Sequence, residues 1–309
     1  MKKILLASVG IAALHTGCAL AADLPAKVYT KAPPVVATGF SWTGFYLSGG
    51  GGEGFLTDET NAVNATTGTS FTANTLTNSA HGAFGTVSAG YDYQFSNRIV
   101  GGVLANYDFS DIKGTYDTGG ATDFFSPLGG SRKLDSSWAV GARAGWLVDP
   151  KTLTYFNGGY TQAHFTGMNL VDLGTAFPAG PGAISGHTYS GWFLGSGVET
   201  KLDFLPGNGW FARTEYRYAR YDATTQAALT PAGVPFGIAF APLALQTHPS
   251  VQTVRTELVY KFNTGGGAVS AYAPMPTKAP IMPVSWTGFY IGGGGGYGMA
   301  DAFTTPSIA

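Results

Sequence analysis

The chain has little charge and almost no sulfur. Charged residues make up 11% of its 309 positions, against roughly 25% in ordinary globular chains, so a soluble domain with a solvated polar shell is a poor fit. Its 17 lysines and arginines stand against 18 acids, for a net charge of -1. That excludes a nucleic-acid partner, because phosphate binding needs a concentrated basic face. Cys18 is the single cysteine, so no intrachain disulfide can form, and a mature chain without thiols fits an oxidising exterior compartment. Past the first residues no helical membrane span competes. The one uncharged apolar stretch, Ala223 to Gln246, holds Pro231, Pro235 and Pro242, which would break a helix repeatedly.

Aromatic residues, by contrast, reach 14%, and glycine numbers 46. Apolar and polar residues are finely mixed rather than blocked, which suits strands with one oily and one wet face.

The N-terminus reads as a secretory signal over residues 1–21. Lys2 and Lys3 supply the positive end, Ile4 to Leu14 an apolar core, and Ala19-Leu20-Ala21 a small-residue cleavage site ending at Ala21. A retained membrane helix would need ~20 apolar residues, and His15, Thr16 and Gly17 interrupt this run. Lipid attachment at Cys18 would call for an aliphatic residue where His15 stands. Residues 22–40, with Pro25, Pro33 and Pro34, read as a periplasmic linker.

From Trp42 to about Phe262 the pattern alternates in segments of strand length. Eight strands are expected, near 42–56, 79–95, 98–110, 134–148, 152–165, 187–204, 209–222 and 250–262. Ser96-Asn97, Asp149-Pro150-Lys151 and Leu205-Pro206-Gly207-Asn208 form tight turns, and the other four joins are long loops. This asymmetry is that of a transmembrane antiparallel β-barrel spanning residues 41–263 in the outer membrane.

Period-two facing assigns side chains to the two sides. Arg143, Glu199, Lys201, Arg213, Glu215, Arg217, Arg255, Glu257 and Lys261 fall on one face, and Asp92 and Asp108 join them. Eight strands enclose room only for side chains, so these charges are expected to pair as a lumen network, with a narrow ion path as the rival. Trp42, Phe45, Tyr93, Phe95, Trp146, Tyr155, Phe204, Trp210, Tyr260 and Phe262 gather near the short turns and read as a periplasmic aromatic girdle.

Other candidates are weaker. Gly49 to Gly54 lacks the Lys-Ser/Thr pair of a phosphate loop and reads as a tightly curved strand. His15, His81, His164, His187 and His248 show no ligand spacing. His248-Pro249-Ser250 could host lipid hydrolysis only with an orienting third group, and none is evident. No cofactor is expected.

Ala22-Asp23-Leu24-Pro25, the linker, Ser41-Trp42-Thr43-Gly44-Phe45-Tyr46-Leu47 and the closing Val259-Tyr260-Lys261-Phe262 together resemble the small porin-like outer-membrane immunogenic proteins of alphaproteobacteria. The resemblance covers roughly residues 1–263. It implies an eight-stranded barrel of opacity-protein type, exposed loops and no catalytic residues, with Tyr260 and Phe262 as the terminal signal read by the barrel-assembly machinery. The chain departs from that pattern by continuing to Ala309. Thr277-Lys278-Ala279-Pro280 repeats Thr30-Lys31-Ala32-Pro33, and Ser285-Trp286-Thr287-Gly288-Phe289-Tyr290 repeats Ser41 to Tyr46. Residues 264–283 then form a flexible linker and 284–309 an incomplete, disordered repeat of the barrel start.

The functional expectation is a non-enzymatic envelope protein acting through its exposed loops. Its expected partners are outer-membrane lipids and lipopolysaccharide, the assembly machinery, and host or surface ligands. A small diffusion porin is the first alternative and a lipid-modifying outer-membrane enzyme a distant one. The fourth outer loop, Thr224 to Gln246, is expected to offer Val234, Phe236, Ile238 and Phe240 to an apolar surface.

Overall fold

The computed structural model describes residues 41–71, 75–117, 128–172, 182–207, 209–238 and 241–262. The expected signal with its cleavage at Ala21, the linker before residue 41 and the tail repeat lie outside them. Every regular element described is a strand: β1 (Gly44–Asn64), β2 (Leu76–Gln94), β3 (Ile99–Asp117), β4 (Leu128–Asp149), β5 (Thr152–Phe165), β6 (Met168–Asp172), β7 (Gly182–Ile184), β8 (His187–Lys201), β9 (Trp210–Tyr221), β10 (Thr224–Ala227), β11 (Gly237–Ile238) and β12 (Ala241–Lys261).

Eight of these close a ring in the order β1-β2-β3-β4-β5-β8-β9-β12, each antiparallel to its neighbours. The register fixes the shape. Following paired residues from Phe55 through Gln252, Tyr218, Leu194, Gly158, Ala142, Val103 and Tyr91 returns to β1 at Phe45, ten residues down the same strand. With ~3.3 Å per residue and ~4.8 Å between strands, that stagger tilts the strands by about 40° to the barrel axis.

Alternation then sorts the side chains. On β9, Phe211, Arg213, Glu215 and Arg217 are buried while Thr214 and Tyr216 are exposed; on β12, Arg255, Glu257 and Lys261 are buried while Val254, Leu258 and Tyr260 face out. Lipid takes the place of a core here, so the exposed set includes large apolar residues at Phe156, Val103, Leu194 and Val254.

Two aromatic belts bound this face. The lower holds Phe45, Tyr93, Phe95, Trp146, Trp210, Tyr260 and Phe262, packed as the pairs Tyr93–Phe95, Trp210–Tyr260 and Tyr260–Phe262. An upper belt, not anticipated from sequence, sets Tyr107 against Phe109, Trp138 against Tyr160 and Trp192 against Tyr218. Trp146 and Trp138 lie eight residues apart on β4, which at this tilt spans about 20 Å, close to the ~25 Å apolar band of outer-membrane barrels.

Three expectations need correction. Trp42 and Tyr155 do not join the lower belt: they turn inward, 1% and 2% exposed. The strands also run further than their membrane-facing parts, β1 to Asn64, β3 to Asp117, and β4 and β12 starting at Leu128 and Ala241. The lipid-facing alternation stops at the upper belt, but backbone pairing continues into the segments read as loops. Phe236 of the expected fourth loop is buried at 4% and Val234 is exposed, while the Ile238 and Phe240 side chains lie outside those described. Phe236 packs over Gly182 while β10 and β11 pair with β12.

A closed ladder with no free edge should resist detergent until heated. Unboiled protein is therefore expected to migrate differently from boiled protein in denaturing gels. Identical migration of correctly inserted protein would contradict ring closure.

Candidate functional site: the barrel lumen

The inward side chains form three tiers. At the lower end, by the short turns, Trp42, Tyr46, Leu153, Tyr155, Phe211 and Val259 pack together, all 2% exposed or less. Trp42 is held there by an indole N–H donated to the Pro150 carbonyl at 3.3 Å.

Above this lies the charge network, contributed by alternate inward positions of six strands. Asp92 of β2 accepts from Arg143 Nε at 2.8 Å and pairs with Lys261. Glu199 of β8 accepts from Arg143 at 2.9 Å and from Arg213 at 2.9 Å, and lies 2.9 Å from Lys261 Nζ. Glu257 of β12 receives Arg213 at 3.0 Å, with Ser48 and Ser88 hydroxyls at 3.1 and 2.8 Å. Glu215 of β9 takes Arg217, Tyr155 and Asn157 at 2.9, 2.9 and 2.7 Å. Asp108 of β3 takes both Arg255 amino groups at 3.3 Å.

The cations also stack on the aromatic tier. Arg143 and Arg213 lie 4.8 and 4.6 Å from the Tyr46 ring, and Lys261 lies 4.6 Å from Trp42. Each buried charge thus has opposite charge, hydrogen bonds or a ring face to offset its desolvation.

Eight of the nine charges expected in the lumen meet in this tier with Asp92 and Asp108. Lys201 does not reach it. It points inward at the lower rim, where its Nζ lies 3.5 Å from the half-exposed Asp203. Tyr46, Tyr155 and Asn157 complete the network but carry no charge to mark them. Tyr260 and Phe262, expected as the assembly signal, sit in the lower belt.

The third tier is apolar again, with Leu56, Ile112, Leu134, Phe165, Phe193 and Tyr221 buried together. Between it and the charges, a cavity of about 20 Å³ is lined by Asp108, Arg217, Arg255, Phe84 and Thr161, room for about one water.

Asp58 and Arg132 occupy the mouth, beyond the upper belt, and were missed because Arg132 fell within an expected loop. Arg132 donates to the Tyr189 hydroxyl at 3.1 Å and stacks on Phe165 at 5.0 Å. Asp58 is fully buried, accepts the His248 backbone N–H at 3.1 Å and has the Tyr116 hydroxyl as a neighbouring donor. Burial outweighs the opposing pull of Arg132 and pushes its carboxyl up to about 6 from an ordinary 3.8.

Since the folded protein holds this proton more tightly than the unfolded chain, stability should fall as pH rises through the window from about 4 to about 6. The loss is about 3 kcal/mol at roughly 1.4 kcal/mol per unit. Asp58→Asn should flatten that slope in urea titrations run at pH 4.5 and 7. An unchanged slope would show that Asp58 does not set it.

The His248 and Ser250 pair has no nucleophile geometry. Arg220 contacts both ring nitrogens of His248, at 3.1 and 2.8 Å, while the Ser250 hydroxyl donates to the Thr57 carbonyl at 3.3 Å. Among the described residues no three His, Cys, Asp or Glu side chains converge as metal ligands.

Two curated proteins, the 31 kDa outer-membrane immunogenic proteins of Brucella melitensis and Brucella suis, are each 27% identical over 279 residues, covering 85% of this chain and 100% of theirs. Among solved structures, the outer membrane protein OprG of Pseudomonas aeruginosa is similar with a TM-score of 0.44 at 11% identity, over 73% of this chain and 99% of that one. Neisserial surface protein A gives 0.31 at 14% identity, over 71% and 98%. No family model matches the chain.

Proposed function

We propose that this outer-membrane β-barrel protein, a homologue of the Brucella immunogenic proteins, is a non-enzymatic envelope protein whose barrel anchors exposed outer strands and loops while its lumen stays closed to ions. The carrying observation is the layered lumen: ten charges paired among themselves between two apolar tiers. A diffusion path needs continuous water, and the cavity beside Arg217 and Arg255 has room for about one molecule.

Strands continuing beyond the upper belt support the second half of the reading. β3 and β4 pair as far out as Asp117 and Gly129, so the strand ladder itself extends the surface beyond the upper belt. Outer-membrane lipids, lipopolysaccharide and host surface molecules are the partners such a surface would meet, and Tyr260 with Phe262 would present the assembly signal.

Conductance tests this. Refolded protein in planar bilayers should show no stable open channel at moderate voltage. A reproducible, large single-channel conductance in the unmodified protein would establish the porin reading instead.

A further inference from the structure

The lipid-facing wall carries an amphipathic groove, and it sits at the headgroup level. Between β3 and β4 the pairing slips between Phe109 and Ile112, and the irregularity opens a depression of about 420 Å³ on the outer surface. Its membrane-side end is apolar, built on Gly85 and Ala83 with Tyr107 and Phe109 of the upper belt beside them. Gly85 matters because it leaves its face of β2 bare: a side chain there would meet nothing nearer than a Gly50 carbonyl at 3.9 Å.

The solvent-side end is charged in alternating sign. Lys113 lies 3.1 Å from Asp111, Asp111 lies 3.3 Å from Lys133, and Lys133 lies 3.4 Å from Asp135. All four side chains are 35–63% exposed, and Glu53 stands opposite Ala83 on the neighbouring strand.

We infer that this groove holds one outer-leaflet lipid whose headgroup carries both a phosphate and a primary ammonium. The apolar end matches an acyl chain, and the position just beyond the upper aromatic belt matches the headgroup plane. The sign pattern selects the headgroup. Three carboxylates against two lysines give a purely anionic headgroup no net attraction, whereas a zwitterion meets Lys133 with its phosphate and Asp135 or Asp111 with its ammonium. This site lies outside the lumen, so it stands or falls independently of the closed-lumen reading.

The test uses the full chain in uncharged dodecyl maltoside micelles, titrated with dioleoyl phosphatidylethanolamine or dioleoyl phosphatidylglycerol, and retained lipids counted by native mass spectrometry. Phosphatidylethanolamine should be retained about fivefold better, the scale of partly exposed charge pairs. Lys133→Glu should abolish that preference. Gly85→Leu, which keeps the wall apolar but fills the groove, should remove retention of both lipids while leaving the heat-dependent gel shift intact. Lys151→Ala, which breaks the Lys151–Asp203 pair at the opposite end of the barrel, should change nothing. Equal retention of the two lipids, a preference for phosphatidylglycerol, or indifference to Gly85→Leu would each overturn the assignment.

Discussion

Glu199→Gln is expected to lower the unfolding free energy by about 3–5 kcal/mol, the range for breaking a buried ion pair from one side. Glu199 has a fully buried side chain and is shared by Arg143, Arg213 and Lys261. Without its charge those three cations are left with Asp92 and Glu257 as their nearest carboxylates, and burial keeps the excess charge costly. Lys151→Met is the matched control. Lys151 and its partner Asp203 are both more than half exposed at the lower rim, so its loss should cost less than about 1 kcal/mol. Urea unfolding of bilayer-inserted protein, read by the gel shift, measures both. Equal, small effects would mean that water screens the network, as it would in an open pore.

Gly52→Val should largely abolish barrel formation, because β1 is the closing strand, paired with β2 on one side and β12 on the other. A Cβ at Gly52 would come within 1.9 Å of the Val254 carbonyl oxygen and 2.9 Å of the Arg255 Cα. Both are backbone atoms of β12, and moving them breaks the ladder that closes the ring. Overpacking of this kind costs about 1–3 kcal/mol where side chains can yield, and here only backbone could yield, so the folding equilibrium constant should fall far more than tenfold and refolding yield with it. Gly49→Ala, in the same glycine run, has no neighbour nearer than 3.9 Å and should change stability by less than about 0.5 kcal/mol. Refolding yield into lipid vesicles separates the two. If both substitutions are harmless, close approach is not the reason for the glycines.

How much of this was legible depended on whether a residue's role follows from its own strand. Arg213, Glu215 and Arg217 alternate with Thr214 and Tyr216, so their facing could be read directly. Trp42 and Tyr155 could not be placed that way. Both lie near short turns, as belt aromatics do, yet Tyr155 shares the inward side of β5 with Asn157 and donates to Glu215 two strands away. The outer ends of β1, β3, β4 and β12 were also hidden. Beyond the upper belt both faces of a strand can be polar, as in Thr57, Asp58 and Glu59, and alternation loses its contrast where water replaces lipid.

The sequence by itself determined an exported, all-β chain of eight membrane strands, and which side of most strands faces lipid, because a two-residue period and sparse charge leave no other way to satisfy the backbone in a bilayer. Only the tertiary structure decided which charges meet. Arg143 bridges Asp92 and Glu199, more than 50 positions away on either side. The ten-residue stagger of the ring sets that pairing, and stagger is a property of closure that no single strand contains.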